Sequence, residues 1–384
     1  MRTPTGADAG GPMIRDPDSP ELAALCEALS RRAGENDASG EWPAEQLRLC
    51  GDAGVFRWFL PQEVGGLGWD DESVVRGYLA LSAACLSTTF VITQRTAASR
   101  RIALSENEEL KRRLLPGLAS GEAFATVGIS HLTTSGLHLA NPRVAAERVE
   151  GGWRVSGAAP WATGAAAADT VVVGAAVVER GEATEEQVLL ALPMATPGVS
   201  VPEPFHLVGV SASATGAVEL DGVFVADADV VAGPVENVLA ALSRGASTGG
   251  HETSTLALGL ARAALDYLSG EADKRADLAE ASASLSAEHA VLVADLLSVA
   301  RGEPACTNES LRTRANSLVL RATQAALAAA KGAGYVSGHP VGRWCREALF
   351  FMVWSCPQPV MAANLGELAG IECGARDRSL GTGR

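Results

Sequence analysis

The period of the hydrophobic pattern switches twice along this chain, and that double switch constrains the fold more tightly than any single motif. From about residue 20 to 120, apolar residues recur at helical spacing. "SPELAALCEALSRRA" opens with Ser19 as N-cap and Pro20 at the first helical position, where a missing N–H is no loss. "PAEQLRLCGDAG" reads as a short helix closed by glycine, and "DDESVVRGYLALSAACLS" and "SENEELKRRLLPGLASG" as two more. In the last of these, Ser105 and Glu108 stand at capping-box spacing.

From about 123 to 232 the pattern becomes that of strands. "AFATVGIS", "TVVVGAAVV", "QVLLALP" and "ATGAVELDGVFV" are apolar runs of strand length separated by Pro and Gly. "RVAAERVEGGWRVSG" alternates on either side of Gly151-Gly152, a hairpin signature. Beyond about 235 long alanine-rich helices return, over 251–270, 284–301, 308–331 and 358–370. At 384 residues the chain exceeds one ordinary core. The order therefore predicts an α+β protein: a disordered lead over 1–18, a helical domain over 19–122, a β domain over 123–232, a helical bundle over 233–372 and a flexible tail over 373–384.

Charge and motif content narrow the function. A net charge of −14 without a long basic run argues against a nucleic-acid partner. The six histidines form no H-x-x-x-H pair, so no metal is expected. Seven cysteines without a C-x-x-C fit reduced thiols and a cytoplasmic protein. The polar start of the chain has no apolar h-region. No span reaches the roughly 18 uninterrupted apolar residues a bilayer demands, since the best, 162–178, is broken by Asp169, so no membrane insertion is expected. "GAGYVSG", 332–338, has the look of a dinucleotide glycine turn, but an alanine-rich helix precedes it and no acid follows at the required distance. A helix C-cap with a loop is the reading it supports.

One aromatic residue stands out. Trp161, in "GAAPWATGAAAADTVVVGAAVV", sits behind a proline and ahead of Thr163 and Gly164, before the apolar strand begins. A core indole with a turn threonine is the plain reading. A planar surface held against a planar ligand is the other.

The ordered set of local strings resembles the acyl-CoA dehydrogenase superfamily. The strings are "LPQEVGGLGW" (60–69), "LLPGLASGEAFATVGIS" (114–130), "GGWRVSGAAPWATGAAAADTVVVGA" (151–175), "GVSVPEPFHLVGVSASATGAVELDGVFV" (198–225) and "GAGYVSGHPVGRWCREALF" (332–350). The resemblance spans roughly 45 to 370. It implies an N-terminal helical domain, a middle β-barrel domain and a C-terminal four-helix bundle enclosing FAD, with FMN as the alternative flavin. It implies that Trp161 lies beside the isoalloxazine and that the Thr163 hydroxyl bonds near flavin N5. It puts Phe124, Thr126, Val127, Gly128, Ser130 and Thr133 on the strand and loop that bind the flavin pyrimidine edge and pyrophosphate, with Thr134 and Ser135 as further hydroxyls. Here the family's Thr-Glu-Pro and Gly-Ser-Asp elements are replaced. Arg275, Lys331, Gly332 and Gly334 fall where the family holds the FAD of a neighbouring subunit, which implies a homodimer or homotetramer. Ala328 and Lys331 replace that loop's glutamine and first glycine.

The implied reaction is α,β-dehydrogenation of an acyl-CoA or related acyl thioester, with hydride passing to flavin N5 and on to an electron acceptor. Such chemistry needs a carboxylate base, because a thioester α-carbon is a weak acid. The family's two places for that glutamate fall here on Ser355 and Gly249. Glu252 is one helical turn from the second, so it is the candidate base, although a glutamate there is also favoured simply by the helix dipole. Glu347 matches the family's structural acid, Glu367 reads as a solvated helix face, and His131 as a loop residue. "RTAASRR" and "KRR", 95–113, form a basic face that suits CoA phosphates or is plain solvated surface. The missing glutamate keeps two alternatives open: a flavin-dependent monooxygenase of the same fold, and a non-catalytic relative.

Overall fold

The computed structural model describes residues 13–132, 142–242 and 251–371, and the chain divides into two compact units, 1–248 and 249–384. Thr133, Thr134, Ser135 and Gly249 lie outside the described residues.

The first unit opens with five helices, α1 (Pro20–Ser39), α2 (Ala44–Asp52), α3 (Asp71–Ala84), α4 (Leu86–Ala103) and α5 (Glu108–Ser120). Pro20 sits at the start of α1 as its fixed φ requires, but the Ser19 side chain makes no capping bond. α4 is buried almost all round, so it has no polar stripe for periodicity to detect. The capping box expected at Ser105 and Glu108 does not form. α5 begins at Glu108 and is capped by Asn107, whose Oδ1 accepts from the Leu110 N–H at 3.1 Å. Ser105 is buried and donates instead to the Val231 carbonyl at 2.6 Å, because a buried hydroxyl must find its partner wherever the packing puts one.

Eight strands follow among the described residues: β1 (Ala125–Gly128), β2 (Val144–Val149), β3 (Gly152–Thr163), β4 (Thr170–Glu179), β5 (Glu182–Pro193), β6 (Val199–Ser200), β7 (Thr215–Ala226) and β8 (Val230–Glu236). They form one mixed sheet in the order β6-β7-β3-β2-β4-β5-β8, with β1 running parallel to the first half of β4. The β2–β3 hairpin turns on Glu150 and Gly151, and Gly152 already pairs with Val149. The expected barrel is corrected here: the sheet is open, because its end strands β6 and β8 do not pair. β6 is only two residues long, and Pro234 removes one ladder donor from β8.

β4 explains the unbroken apolar run "TVVVGAAVV". Val171, Val173, Ala175 and Val177 join a core made by strands β2, β3, β4, β5 and β7 and the 3-10 turn at Ala165, with no α-helix, so the sheet curls over its own face. Val172 points the other way, into a second core where Leu110, Leu115 and Leu118 of α5 meet Ala125 and Val127 of β1 and Leu189 of β5. Both faces are buried, and alternation disappears.

A short helix, α6 (Val238–Leu242), ends the described part of the first unit. The second unit contains α7 (Glu252–Ala272), α8 (Ala279–Ala300), α9 (Asn308–Gly334), α10 (Pro340–Ala348) and α11 (Gln358–Leu368). α9 is its axis, packing on α7, α8, α10 and α11. Among the described residues, Ala276–Ala300 is the one helical stretch long and apolar enough to cross a membrane by length and composition. Only Ser282, Leu292 and Leu296 of α8 are buried within the unit, and Val291 is 57% exposed.

Candidate functional site

Trp161 stands on a strand rather than on the tight loop expected of it. Between Ala159 and Ala162 β3 advances three residues while β7 advances only two, from Val218 to Gly216. Pro160, with no N–H for the ladder, lies inside this bulge, and a bulge re-aims the side chains it carries. The indole is accordingly 53% exposed, tilted 59° against the Phe205 ring with centroids 4.9 Å apart. Thr163, two residues on, is buried, and its Oγ1 lies 3.0 Å from Thr215 Oγ1, its cross-strand partner. Gly164 then turns the chain with φ +64°, and a Cβ there would collide with the Trp42 ring. The position just past β3 thus admits only glycine.

β1 lies beside this end of the sheet. The Phe124 N–H donates to Asp169 Oδ2 at 2.8 Å, and the Phe124 ring meets Trp42 edge-on. Val127 is buried in the helix-side core. Thr126 is fully buried with its hydroxyl unpartnered, while Gly128 faces Ala159 so closely that a Cβ would sit 3.1 Å from that side chain. Among the described residues β1 has β4 as its one ladder partner, so a row of its backbone N–H and C=O groups has no neighbouring strand. Ser130 opens a half-buried turn after β1. His131, expected in a loop, is instead buried. Its Nε2 pairs with the Gly174 carbonyl at 2.7 Å, and burial holds the ring below the ordinary histidine pKa of 6.5.

The basic face expected over 95–113 is not one surface. Arg95 is 2% exposed, lies over the Phe56 ring at 3.7 Å and donates to the Leu118 and Ala123 carbonyls. Desolvation pulls its guanidinium down to about 9. Arg113 pairs with Asp229, and Lys111 with Glu108 at 2.6 Å. A cavity of about 330 Å³ lies between the end of α1 (Asp37 to Gly40) and the segment Glu203–Leu207, with Ser211 and Ala214 completing its wall.

In the second unit, Arg275 donates to the Ala329 carbonyl at 2.8 Å, and its charge, with those of Lys274 and Lys331, bears on Glu271. The hydrogen bond from Lys274 first, then these cations, hold the Glu271 carboxyl below the usual range. Lys331 adopts φ +55° inside the last turns of α9 and is exposed, as is Gly332, whereas Gly334 is buried. The structure therefore gathers Arg275, Lys331 and the glycines at one end of α7. Glu252, half-buried, is the first residue of that helix, about 30 Å away along the axis at 1.5 Å per residue. Ser355 is exposed with φ +45°. The segment before it is pinned by buried Arg312, which donates to the Phe351 and Trp354 carbonyls at 3.3 and 2.9 Å, and by Asn316. Glu347 is 2% exposed beside Arg343, as a structural acid would be. Glu367 is not merely solvated: it accepts from the Ser317 hydroxyl at 2.6 Å.

Phe205, Ser213 and Thr215 belong to the Trp161–Thr163 site and were not singled out in the sequence. The signal was present in "SASAT", where hydroxyls alternate into the start of β7.

Comparison with known proteins shows what the chain is similar to. The family model describing the acyl-CoA dehydrogenase N-terminal domain matches residues 22–122, and the model describing the middle domain matches 126–223, together just over half of the chain's 384 residues. The probable acyl-CoA dehydrogenase YngJ of Bacillus subtilis (strain 168) is 26% identical over 277 residues, covering 72% of this chain and 70% of that protein. The fold superposes on a glutaryl-coenzyme A dehydrogenase in complex with glutaryl-CoA with a TM-score of 0.78, at 19% identity, over 92% of this chain and 96% of that one. It is also similar to FMN-bound TdsC from Paenibacillus sp. A11-2, TM-score 0.76 at 17% identity, over 91% of this chain and 96% of that one.

Proposed function

This chain belongs to the acyl-CoA dehydrogenase family, and from that premise we propose that it is a flavin-dependent oxidoreductase that dehydrogenates an acyl thioester at its α,β carbons. The observation that carries the proposal is the half-exposed Trp161 indole held on a strand bulge beside the buried Thr163 hydroxyl. A flat aromatic surface suits an isoalloxazine face, and a hydroxyl beside the ring tunes its electronics. Val127 and Gly128 offer backbone groups on the unpaired edge of β1, with Phe124 and Ser130 flanking them. Thr126 is packed inside and contributes no surface group. Arg275 and Lys331 present cations for the phosphates and adenine end of the FAD of a neighbouring subunit, with Gly332 beside them.

The bound flavin supplies the hydride acceptor. This chain's own part is to hold the thioester and to take the α-proton, a role assigned to Glu252 because Ser355 has no carboxylate. Reducing equivalents then leave to a separate electron acceptor.

A second reading, a flavin-dependent monooxygenase, is favoured by one observation: the exposed serine at 355, since oxygen chemistry needs no α-carbon base. The two readings part under anaerobic conditions. The purified protein should be yellow and should release FAD on denaturation, and Trp161→Ala should weaken flavin retention. Added flavin at about 100 times Kd should stabilise apoprotein by roughly 2.7 kcal/mol. Butyryl-CoA or a longer acyl-CoA should bleach the flavin without oxygen, and Glu252→Gln should slow bleaching by about 10²–10⁴-fold. A colourless protein that gains no stability from FAD or FMN contradicts the flavin assignment. Bleaching unaffected by Glu252→Gln removes the base. No bleaching, with the chemically reduced enzyme consuming oxygen and forming an oxygenated product, selects the monooxygenase.

A further inference from the structure

The Thr163 hydroxyl is the end of a chain of three. Ser213 Oγ lies 2.8 Å from Thr215 Oγ1, which lies 3.0 Å from Thr163 Oγ1. Ser213 is fully buried, Thr215 is 6% exposed and Thr163 is 3% exposed. The local structure holds them there. Thr163 and Thr215 are directly opposite in the β3–β7 ladder. Ser213 ends a short 3-10 turn bracketed by Val210 at φ +51° and Ala214 at φ +46°. Left-handed backbone at a β-branched residue is uncommon, and such positions persist only where the surroundings over-determine them. One of those restraints is visible: the Gly164 N–H donates to the Ala214 carbonyl at 3.2 Å.

Counting protons sets the direction of the chain. Each hydroxyl has one proton to donate and two lone pairs. Three hydroxyls share two links, so one O–H is left over whichever way the bonds run. Left on Ser213 or Thr215 it is a buried donor with no acceptor among the described residues, and an unmade buried hydrogen bond is costly. Thr163 is just as buried, but it is the end of the chain two residues from the exposed Trp161 ring, so a proton left there is the one a ligand seated on that ring can accept.

We propose that Ser213 and Thr215 are positioning residues that orient Thr163 as a fixed hydrogen-bond donor toward an acceptor atom on the bound ligand. This rests on the flavin reading above and extends it. An oxidised flavin presents lone pairs at N5, whereas the reduced ring carries a proton there. A donor locked outward therefore favours the oxidised cofactor and lowers its reduction potential. Accepting from the reduced ring would require all three hydroxyls to reverse and would strand the Ser213 proton in the core.

The test uses the full-length holoprotein. Thr215→Val removes the central hydroxyl, and Ser213→Ala removes the source of the chain while deleting a single oxygen, which guards against a variant that fails to fold. Thr215→Ser retains the relay. The expected result is that Thr215→Val weakens oxidised relative to reduced flavin by about tenfold, a rise of about 30 mV for a two-electron couple, and shifts the visible spectrum. Ser213→Ala should move both in the same direction by less, and Thr215→Ser should restore the wild-type values. A wild type that binds flavin, with potential and spectrum indifferent to both Thr215→Val and Ser213→Ala, overturns the relay alone. A wild type that takes up no flavin overturns the underlying reading and the relay with it.

Discussion

The imidazole of His131 is buried, and burial sets its charge. Desolvation is the larger influence, opposed by the bond to the Gly174 carbonyl, so the folded-state pKa lies below the ordinary 6.5. The sign of the consequence follows. Above 6.5 the ring is neutral in both states, and stability does not change. As pH falls below that value the unfolded chain takes a proton that the folded chain refuses, so stability is lost. His289 is shifted the same way, also mainly by burial. We expect the thermal midpoint to fall between pH 7.5 and 5.5, and the fall to be smaller, though not abolished, in His131→Gln. Equal slopes for the two proteins would show that His131 is protonated equally in both states.

Among the secondary-structure elements, α5 shows how a local rule loses to a tertiary one. Ser-x-x-Glu spacing marked Ser105 as the cap, yet Asn107 caps the helix and also donates from Nδ2 to the Ala228 and Val230 carbonyls at 3.0 and 3.2 Å. Asn107→Ala should therefore cost about 1–2 kcal/mol in denaturant unfolding. Glu108→Gln should stay within about 0.5 kcal/mol, since no capping box depends on it and its pairing with Lys111 is at the surface. The reverse ranking would restore the capping box. The β3 bulge belongs to the same scale: Pro160 was readable, but that it pushes Trp161 outward depends on β7 supplying one residue fewer.

For the whole molecule, α8 presents apolar surface that its own unit leaves uncovered. Exposed apolar patches of this kind mark association surfaces. This gives the expected homodimer or homotetramer a physical footing. Sedimentation at micromolar concentration should show an assembly larger than one chain, and Val291→Glu, at a 57% exposed position, should shift it toward monomer. A wild-type monomer with flavin bound would exclude a cofactor site completed by a neighbouring subunit.

The switch from period 3.6 to period 2 and back is a covalent property of the chain, and it determined the helical start, the strand block and the helical return without reference to any contact. The strings around Trp161 and Thr163 likewise picked out the candidate site, through their resemblance to a family pattern and not through period or composition. Three matters were beyond local sequence. α4 has no stripe to read because other elements cover it on all sides. Arg95 looked like surface charge, and became a buried guanidinium only when α5 brought two carbonyls and Phe56 brought its ring. The Thr163 hydroxyl gained its partner from Thr215, 52 residues away. A hydrogen bond or a burial is a relation between distant residues, so only the folded chain could decide it.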